Sequence, residues 1–548
     1  MRSQQFTRFL ATKKNRKAVE RVMTASQVNT AYDQVLYPSR TFPETHPNRL
    51  AMVAYLRGLQ PARVDRCRVL ELGCGAAGNL IPMAFQLPES EFVGLDLASR
   101  PIASGQDFAA KLGLPNITLH SMDLCEARVE EFGHFDFIIA HGVYSWVPSA
   151  VRERVLAICQ EMLTPQGVAY VSYNAYPGSH FRDLARGMMR FHASAFDSVE
   201  DKLGQARGLL KFLSESRKKS DYYIEAIHGE FQRVAKYTNE AFFHDDLNEF
   251  NQPFYLHEFI GEARRHGLQF LGEAVSNHLN IEKLTPQTVE KLRELEAGDP
   301  VVYEQFKDFL VATGFRRTLL CGAEIELAPR PLVERVQQLY AACDAVRVAE
   351  RDDEGSNGAL FQRPLGDELA TADPVFAAAL EFLSTQYPCS IPFEPLMQAA
   401  CAAAGVETNA ANESDGRAEL SQALLTAYQA GFLYLNANPP GVINQVTERP
   451  VSSKLARFQL AKEQFATNQL HLSREFPDPF ARLLVSLLDG TRDQATLARE
   501  LTTFVKSSGS PIYENGAVLT DPEDVPHAIE WRLPEALASL ARLGMLVA

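Results

Sequence analysis

No run of about 18 consecutive apolar residues occurs in this chain, which excludes a membrane-spanning helix of ordinary length. Cysteine is sparse and scattered: eight residues, at 67, 74, 125, 159, 321, 343, 389 and 401, with no C-x-x-C pair and no histidine at zinc-ligand spacing. That pattern excludes a zinc ribbon. It reads as reduced, mostly buried thiols in a cytoplasmic protein, with no structural metal. Basic residues are outnumbered, 54 Lys and Arg against 68 Asp and Glu, giving a formal net charge of -14. A phosphate backbone repels such a chain on average, so nucleic acid is not an expected partner. No convincing internal repeat is present, and tryptophan occurs only at 146 and 531.

What is present suits an ordinary multidomain globular protein. At 548 residues the chain is too long for one core, and length suggests about three or four domains. The first 19 residues carry six basic side chains and no acid. They read as a solvated tail, with a transit peptide as the alternative; the lack of an apolar h-region argues against secretion. From Arg66 the sequence alternates between strand-like and helix-like runs: RVLELG, NLIPMAFQL, EFVGLDL, SGQDFAAKLGL, ITLHSMDL, FDFIIAHGV, AVRERVLAICQEML, GVAYVSYN. Alternation at this spacing predicts βαβ units and a mostly parallel α/β sheet whose strand-following loops share one edge. Residues 181–250 then look helical, and GLQFLGEAV (267–275) and FRRTLLCGA (315–323) look like strands again. A helical insertion in a sheet domain, followed by a return to complete it, is the economical reading. The expected boundaries are a tail over 1–27, a sheet domain over 28–330 with its insertion at about 181–260, a middle helical, winged-helix-like domain over 331–445, and a C-terminal one over 446–548. AERDDEGSNGAL reads as a hairpin tip, NANPPGVINQVTERPVSS (436–453) as a linker and ENG as a turn.

The run VLELGCGAAGN, starting at Val69, holds a G-x-G-x-x-G at Gly73, Gly75 and Gly78. That pattern raises a dinucleotide site first. Glu71 argues against it, because a carboxylate at the strand end repels a pyrophosphate and suits the ammonium of S-adenosylmethionine. Asp96, closing the second strand, can accept from both ribose hydroxyls, which either ligand would use. Asp123, after the third strand, is placed to accept from an adenine amino group, with Met122 and Leu124 on either side of the ring. Cys74 reads as a small residue in the glycine loop, not as a nucleophile.

Residues 66–175, with E-L-G-C-G at 71–75, Asp96 and M-D-L at 122–124, resemble class I S-adenosylmethionine-dependent methyltransferases. The resemblance extends to the subgroup carrying a methyltransferase regulatory domain, through YDQVLYPSRTFPETHP (32–47), HGVYSWVP (141–148), YNAYPGSHFRDLARGMMRFHA (173–193), NQPFYLHEFIGEARRHGLQFLGEA (251–274) and FRRTLLCGA. Rickettsia-type protein lysine methyltransferases acting on outer-membrane proteins share this layout. The chain departs from them at Ala175-Tyr176, where Thr-Tyr is expected, and at Ser179-His180, where an aromatic often follows Pro-Gly.

The resemblance implies a Rossmann-like class I methyltransferase sheet domain with winged-helix-like C-terminal domains, S-adenosyl-L-methionine as cofactor, and a protein amine, lysine, as acceptor. It implies a cofactor set of Tyr37, His46, Glu71, Gly73, Cys74, Gly75, Asn79, Asp96, Leu97, Met122, Asp123, Leu124, His141 and Val143. The acceptor-side candidates are Tyr144, Trp146, Asn174 and Tyr176, at the edge after strands four and five. His180, His192 and His257 read as structural. Roughly 220 residues beyond the sheet domain favour a macromolecular acceptor, and a homodimer suits the large helical surfaces. Small-molecule or peptide N/O-methyl transfer and a non-catalytic cofactor-bound scaffold are the alternatives. An NAD-dependent oxidoreductase is disfavoured by Glu71.

Overall fold

The computed structural model describes residues 40–217, 221–275, 284–296, 298–348, 358–364, 366–406, 413–508, 513–514, 517–518 and 523–548. Seven strands form its central sheet: β1 (Arg68–Leu72), β2 (Glu91–Asp96), β3 (Ile117–Ser121), β4 (Phe135–Ala140), β5 (Leu163–Asn174), β6 (Leu268–Glu273) and β7 (Phe315–Gly322). Their order is β3-β2-β1-β4-β5-β7-β6. The first five pair in parallel, and β7 runs antiparallel to both β5 and β6. Between them lie α1 (Pro47–Leu56), which precedes β1, α2 (Leu80–Gln86), α3 (Ser99–Leu112) and α4 (Ser149–Met162).

The strands are apolar on both faces, as sheets covered on both sides must be. Val69, Phe92, Phe137 and Ile139 pack on one face against α1, α2 and α3; Leu70, Leu72, Leu95 and Ile138 pack on the other against α4. Helix α3 stops at Gly113, whose φ of +74° supplies the left-handed C-terminal cap that glycine adopts without strain. The strand order reverses between β1 and β4, which makes the loops after those strands the natural ligand crevice.

The chain leaves the sheet after β5 and returns at β6. Between them run α5 (Ser179–Ala193), α6 (Val199–Ser214), α7 (Tyr222–Ala235), α8 (Asn239–Asp246) and α9 (Leu256–Arg265); α10 (Pro286–Glu296) and α11 (Pro300–Val311) separate β6 from β7. α5 to α8 hold a small core around Met189, Leu210 and Phe242. Gly178, in the β5–α5 turn, is required by close approach: an added Cβ would stand 2.2 Å from the Ala312 carbonyl oxygen and 2.7 Å from the Gly314 nitrogen. Arg316 of β7 is fully buried and joins the elements around it. It grips Asp308 of α11 through Nε at 2.8 Å and Nη2 at 2.9 Å, and donates to Glu273 of β6 at 2.6 Å.

After β7 a middle unit forms around helices Pro374–Gln386, Phe393–Ala404 and Glu413–Gln429, and its core takes in Met52 and Leu56 of α1. Strands Val346–Val348 and Ala359–Gln362 pair antiparallel; residues 349–357 of the expected hairpin tip lie outside the described residues, and its last two residues begin the second strand. The last unit comprises helices Lys454–Leu460, Pro479–Leu487, Gln494–Ser508 and Val525–Arg542, with short hairpins Phe465–Thr467/Ser473–Glu475 and Tyr513–Glu514/Ala517–Val518. The far end of the expected 436–453 linker is tied down: Ser452 is fully buried and donates to the Val485 carbonyl at 2.9 Å. Leu455 joins the core of the sheet domain, and Phe458 stacks on Phe108 of α3 at 5.2 Å. No helix among the described residues is long and apolar enough to cross a membrane. All eight cysteines are free, and no group of His, Cys, Asp or Glu among the described residues could hold a metal ion.

Candidate active site

The loop after β1 turns on two left-handed glycines, Gly73 at φ +71° and Gly75 at φ +55°. At Gly73 an added Cβ would meet Val143 Cγ2 at 2.5 Å, whereas Gly75 faces open space. Val143 thus closes the loop after β4 against the loop after β1. Cys74 is buried, its thiol 2.7 Å from where a Cβ on Gly94 would sit, so it fills the gap left by that glycine in β2. Burial raises its pKa well above the ordinary thiol value, which keeps it protonated and inert.

Glu71 is 4 % exposed. Its Oε1 accepts from Asn79 Nδ2 at 2.8 Å, and its Oε2 has no hydrogen-bond partner. Burial, and to a lesser degree the charge of Asp96, raises its pKa to about 8 against the lowering effect of Asn79. A buried carboxylate with one unmatched oxygen asks for a cationic or donating group. Asp96, at the end of β2, accepts from Gly75 N at 2.8 Å through Oδ2 and from Ala98 N at 2.8 Å through Oδ1. The orphan Glu71 oxygen, the open Gly75 and the strand-end Asp96 fit the amino group, the close backbone approach and the ribose of S-adenosylmethionine.

The other cofactor candidates divide. Leu97 is 47 % exposed beside Asp96, Met122 is partly buried, and Leu124 is buried. Asp123 is exposed and accepts from Cys125 N at 2.9 Å through Oδ1. His141 stacks on Phe42 at 3.7 Å and bonds Tyr170 Oη through Nδ1 at 2.9 Å. Burial lowers its pKa to about 3, so the ring stays neutral. His46 caps α1, its Nδ1 accepting from Asn48 N at 3.2 Å. Tyr37 lies outside the described residues.

On the acceptor side, Tyr144 differs from the sequence expectation. It has no exposed surface; Tyr173, Phe254 and Phe259 enclose its ring, and its hydroxyl donates to Glu262 of α9. The insertion covers it, so it packs the fold and offers no open face to an acceptor. Trp146 is half-buried under the Arg182 guanidinium, 5.6 Å from its ring centroid. Asn174 and Tyr176 are joined through two residues that the sequence did not single out. Asp183 accepts from Tyr176 Oη at 3.0 Å and from Asn251 Nδ2 at 3.2 Å; Asn251 Oδ1 accepts from Asn174 Nδ2 at 2.6 Å. Because a carboxylate only accepts, Asp183 sets the orientation of both amides, and the Asn174 oxygen is left to face a donor. Tyr176 also stacks on His180 at 4.0 Å and lies 5.3 Å from Tyr255.

Two further residues escaped sequence reasoning. Thr45 donates to the Phe42 carbonyl at 2.8 Å and accepts from Asn79 Nδ2 at 3.0 Å. His471, from the last domain, bonds Asn79 Oδ1 through Nε2 at 2.9 Å. Their separation in sequence leaves no local pattern to read.

Residues 69–167 match a methyltransferase domain, 238–322 a predicted methyltransferase regulatory domain, and 448–545 the PKMT C-terminal winged helix domain. An uncharacterized Rickettsia prowazekii protein is 29 % identical over 510 residues, covering 91 % of this chain and 90 % of the relative. A second uncharacterized protein of that organism is 34 % identical over 242 residues, 44 % of this chain and 96 % of the relative. The solved structure of PKMT2 from Rickettsia typhi in complex with AdoHcy superimposes with a TM-score of 0.83 at 27 % identity, covering 93 % of this chain and 100 % of that one. The chain belongs to the S-adenosylmethionine-dependent methyltransferases that combine a class I methyltransferase domain, a methyltransferase regulatory domain and a PKMT-type C-terminal winged helix.

Proposed function

We propose that this methyltransferase acts on lysine side chains of a protein acceptor. The observation that carries the reading is the likeness to PKMT2, a protein whose abbreviation denotes protein lysine methyltransferase, which extends over 93 % of this chain and includes the winged-helix unit that a small-acceptor enzyme does not need.

Bound at the β1 and β2 strand ends, S-adenosylmethionine supplies an electrophilic sulfonium methyl. Glu71 would hold its amino group, Asp96 its ribose, and Met122, Asp123 and Leu124 its adenine. The protein's remaining task is to bring a neutral amine into line with that methyl and keep water out. Half-buried aromatic surface at Trp146 and Tyr176 disfavours the ammonium form and promotes its deprotonation. The Asn174 oxygen, fixed by the Asn251–Asp183 pair, would accept an N–H of the amine and aim its lone pair.

The test is transfer of label from methyl-labelled S-adenosylmethionine to purified protein acceptors with free or chemically blocked lysines. Label recovered as methyl-lysine, and lost on blocking, supports the reading. Label that persists on blocked acceptors, or is found only in small molecules, overturns it.

A further inference from the structure

The hairpin Phe465–Thr467/Ser473–Glu475 of the last domain reaches the back of the glycine loop. At its tip His471 is a non-glycine residue at φ +57°. That conformation costs energy and persists only where the surroundings impose it. Here they do. Asn468 Oδ1 accepts from Leu470 N at 3.0 Å and Leu472 N at 2.8 Å, and the Asn468 carbonyl accepts from Gln86 Nε2 of α2 at 2.9 Å. The tip is held so that the imidazole enters the sheet domain, where it is 2 % exposed.

The hydrogen bonds there run in one direction. Phe42 N–H donates to Asn79 Oδ1 at 3.0 Å, and a backbone amide can only donate, so that atom is the amide oxygen. His471 Nε2, 2.9 Å from the same oxygen, must therefore carry the proton, and burial keeps the ring in that neutral form. Asn79 Nδ2 then points at Glu71 Oε1 at 2.8 Å. Two buried atoms on this line have no partner: Glu71 Oε2 and His471 Nδ1.

We propose that His471 is a positioning residue for the amino-acid end of the cofactor, acting through Asn79 on Glu71, so that the C-terminal winged-helix domain supplies part of the cofactor site. The proposal rests on the assignment of Glu71 to that end. With Asn79 clamped by His471 and Phe42, one Glu71 oxygen is engaged and the other is presented to the ligand. Without His471, Asn79 loses one of the donors that fix its oxygen, and its hold on the carboxylate loosens.

The experiment is calorimetric titration of the full-length protein and its variants with two ligands: S-adenosylhomocysteine, which has the amino-acid end, and 5′-methylthioadenosine, which lacks it. His471→Ala weakens S-adenosylhomocysteine by about tenfold and leaves 5′-methylthioadenosine unchanged. His471→Gln, which restores an N–H at the reach of Nε2, recovers most of the loss. Should His471→Ala fail to fold, Asn79→Ala cuts the same line from the sheet domain and shows the same ligand-selective loss. Equal losses for both ligands, or none for either, overturn the proposal. Glu71→Gln is the control for the underlying assignment: if it too leaves S-adenosylhomocysteine affinity unchanged, the placement of the amino end at Glu71 fails, and not merely the role of His471.

Discussion

Glu71 carries the sharpest consequence at the scale of single residues. Its folded pKa, raised by burial to about 8 from an ordinary 4.5, means that the folded protein holds a proton the unfolded chain releases. The unfolded state therefore binds fewer protons between those values, and stability contributed by this site falls as pH rises from about 4.5 to about 8. A bound ammonium reverses the preference and drives the proton off. S-adenosylhomocysteine binding at pH 7 is thus expected to release up to about one proton per site, read from calorimetric heats in buffers of different ionisation enthalpy. Glu71→Gln abolishes that release. Proton release unchanged in the variant would show that another group is the source. The β1 strand end, with its acid and glycines, was legible in the sequence because all its parts lie within a few residues. Asp183, Asn251 and His471 were not: Asn251 and His471 matter through partners tens or hundreds of residues away, and Asp183, though only 7 residues from Tyr176, gains its place by also meeting Asn251.

Among the elements, the joint between the insertion and the sheet is the most demanding. At Gly178 even one methyl group collides with the backbone of residues 312–314. Gly178→Ala is expected to cost about 1–3 kcal/mol and, because α5 bears Asp183, to raise the KM for acceptor more than that for cofactor. An equal rise in both would mean that the joint does not position the acceptor side. Arg316 is the second such point. Removing a buried cation from its carboxylates leaves Asp308 and Glu273 uncompensated, so Arg316→Ala is expected to lose about 3–5 kcal/mol of stability by denaturant unfolding. A loss under about 1 kcal/mol would mean that water replaces the guanidinium there. The strands at both ends of the insertion were readable from their apolar runs. The burial of Tyr144 was not: sequence shows an aromatic residue after the fourth strand, and only packing shows that Phe254 and Phe259 seal it over.

On the scale of the whole molecule, the last domain is not an appendage. Lys454 Nζ donates to the Leu112 carbonyl at the end of α3 at 3.0 Å, Leu455 enters the sheet-domain core, and Thr41 Oγ1 lies 2.9 Å from Ser473 Oγ. Deleting residues 448–548 uncovers this apolar surface, so the remaining fragment is expected to melt several degrees below the full chain and to aggregate more readily. An unchanged melting temperature would mark the last domain as independent. The fusion of the last domain to the sheet domain was not legible in composition or alternation, because contacts between distant segments leave no periodicity. The account as a whole depends on the loop after β1 being the cofactor site. Calorimetric titration of the wild-type protein and Asp96→Ala with S-adenosylmethionine tests that most directly. The prediction is one site with micromolar-range affinity, about -8 kcal/mol, weakened at least about tenfold in the variant. Absence of binding to the wild type, or equal affinity in both, would contradict it.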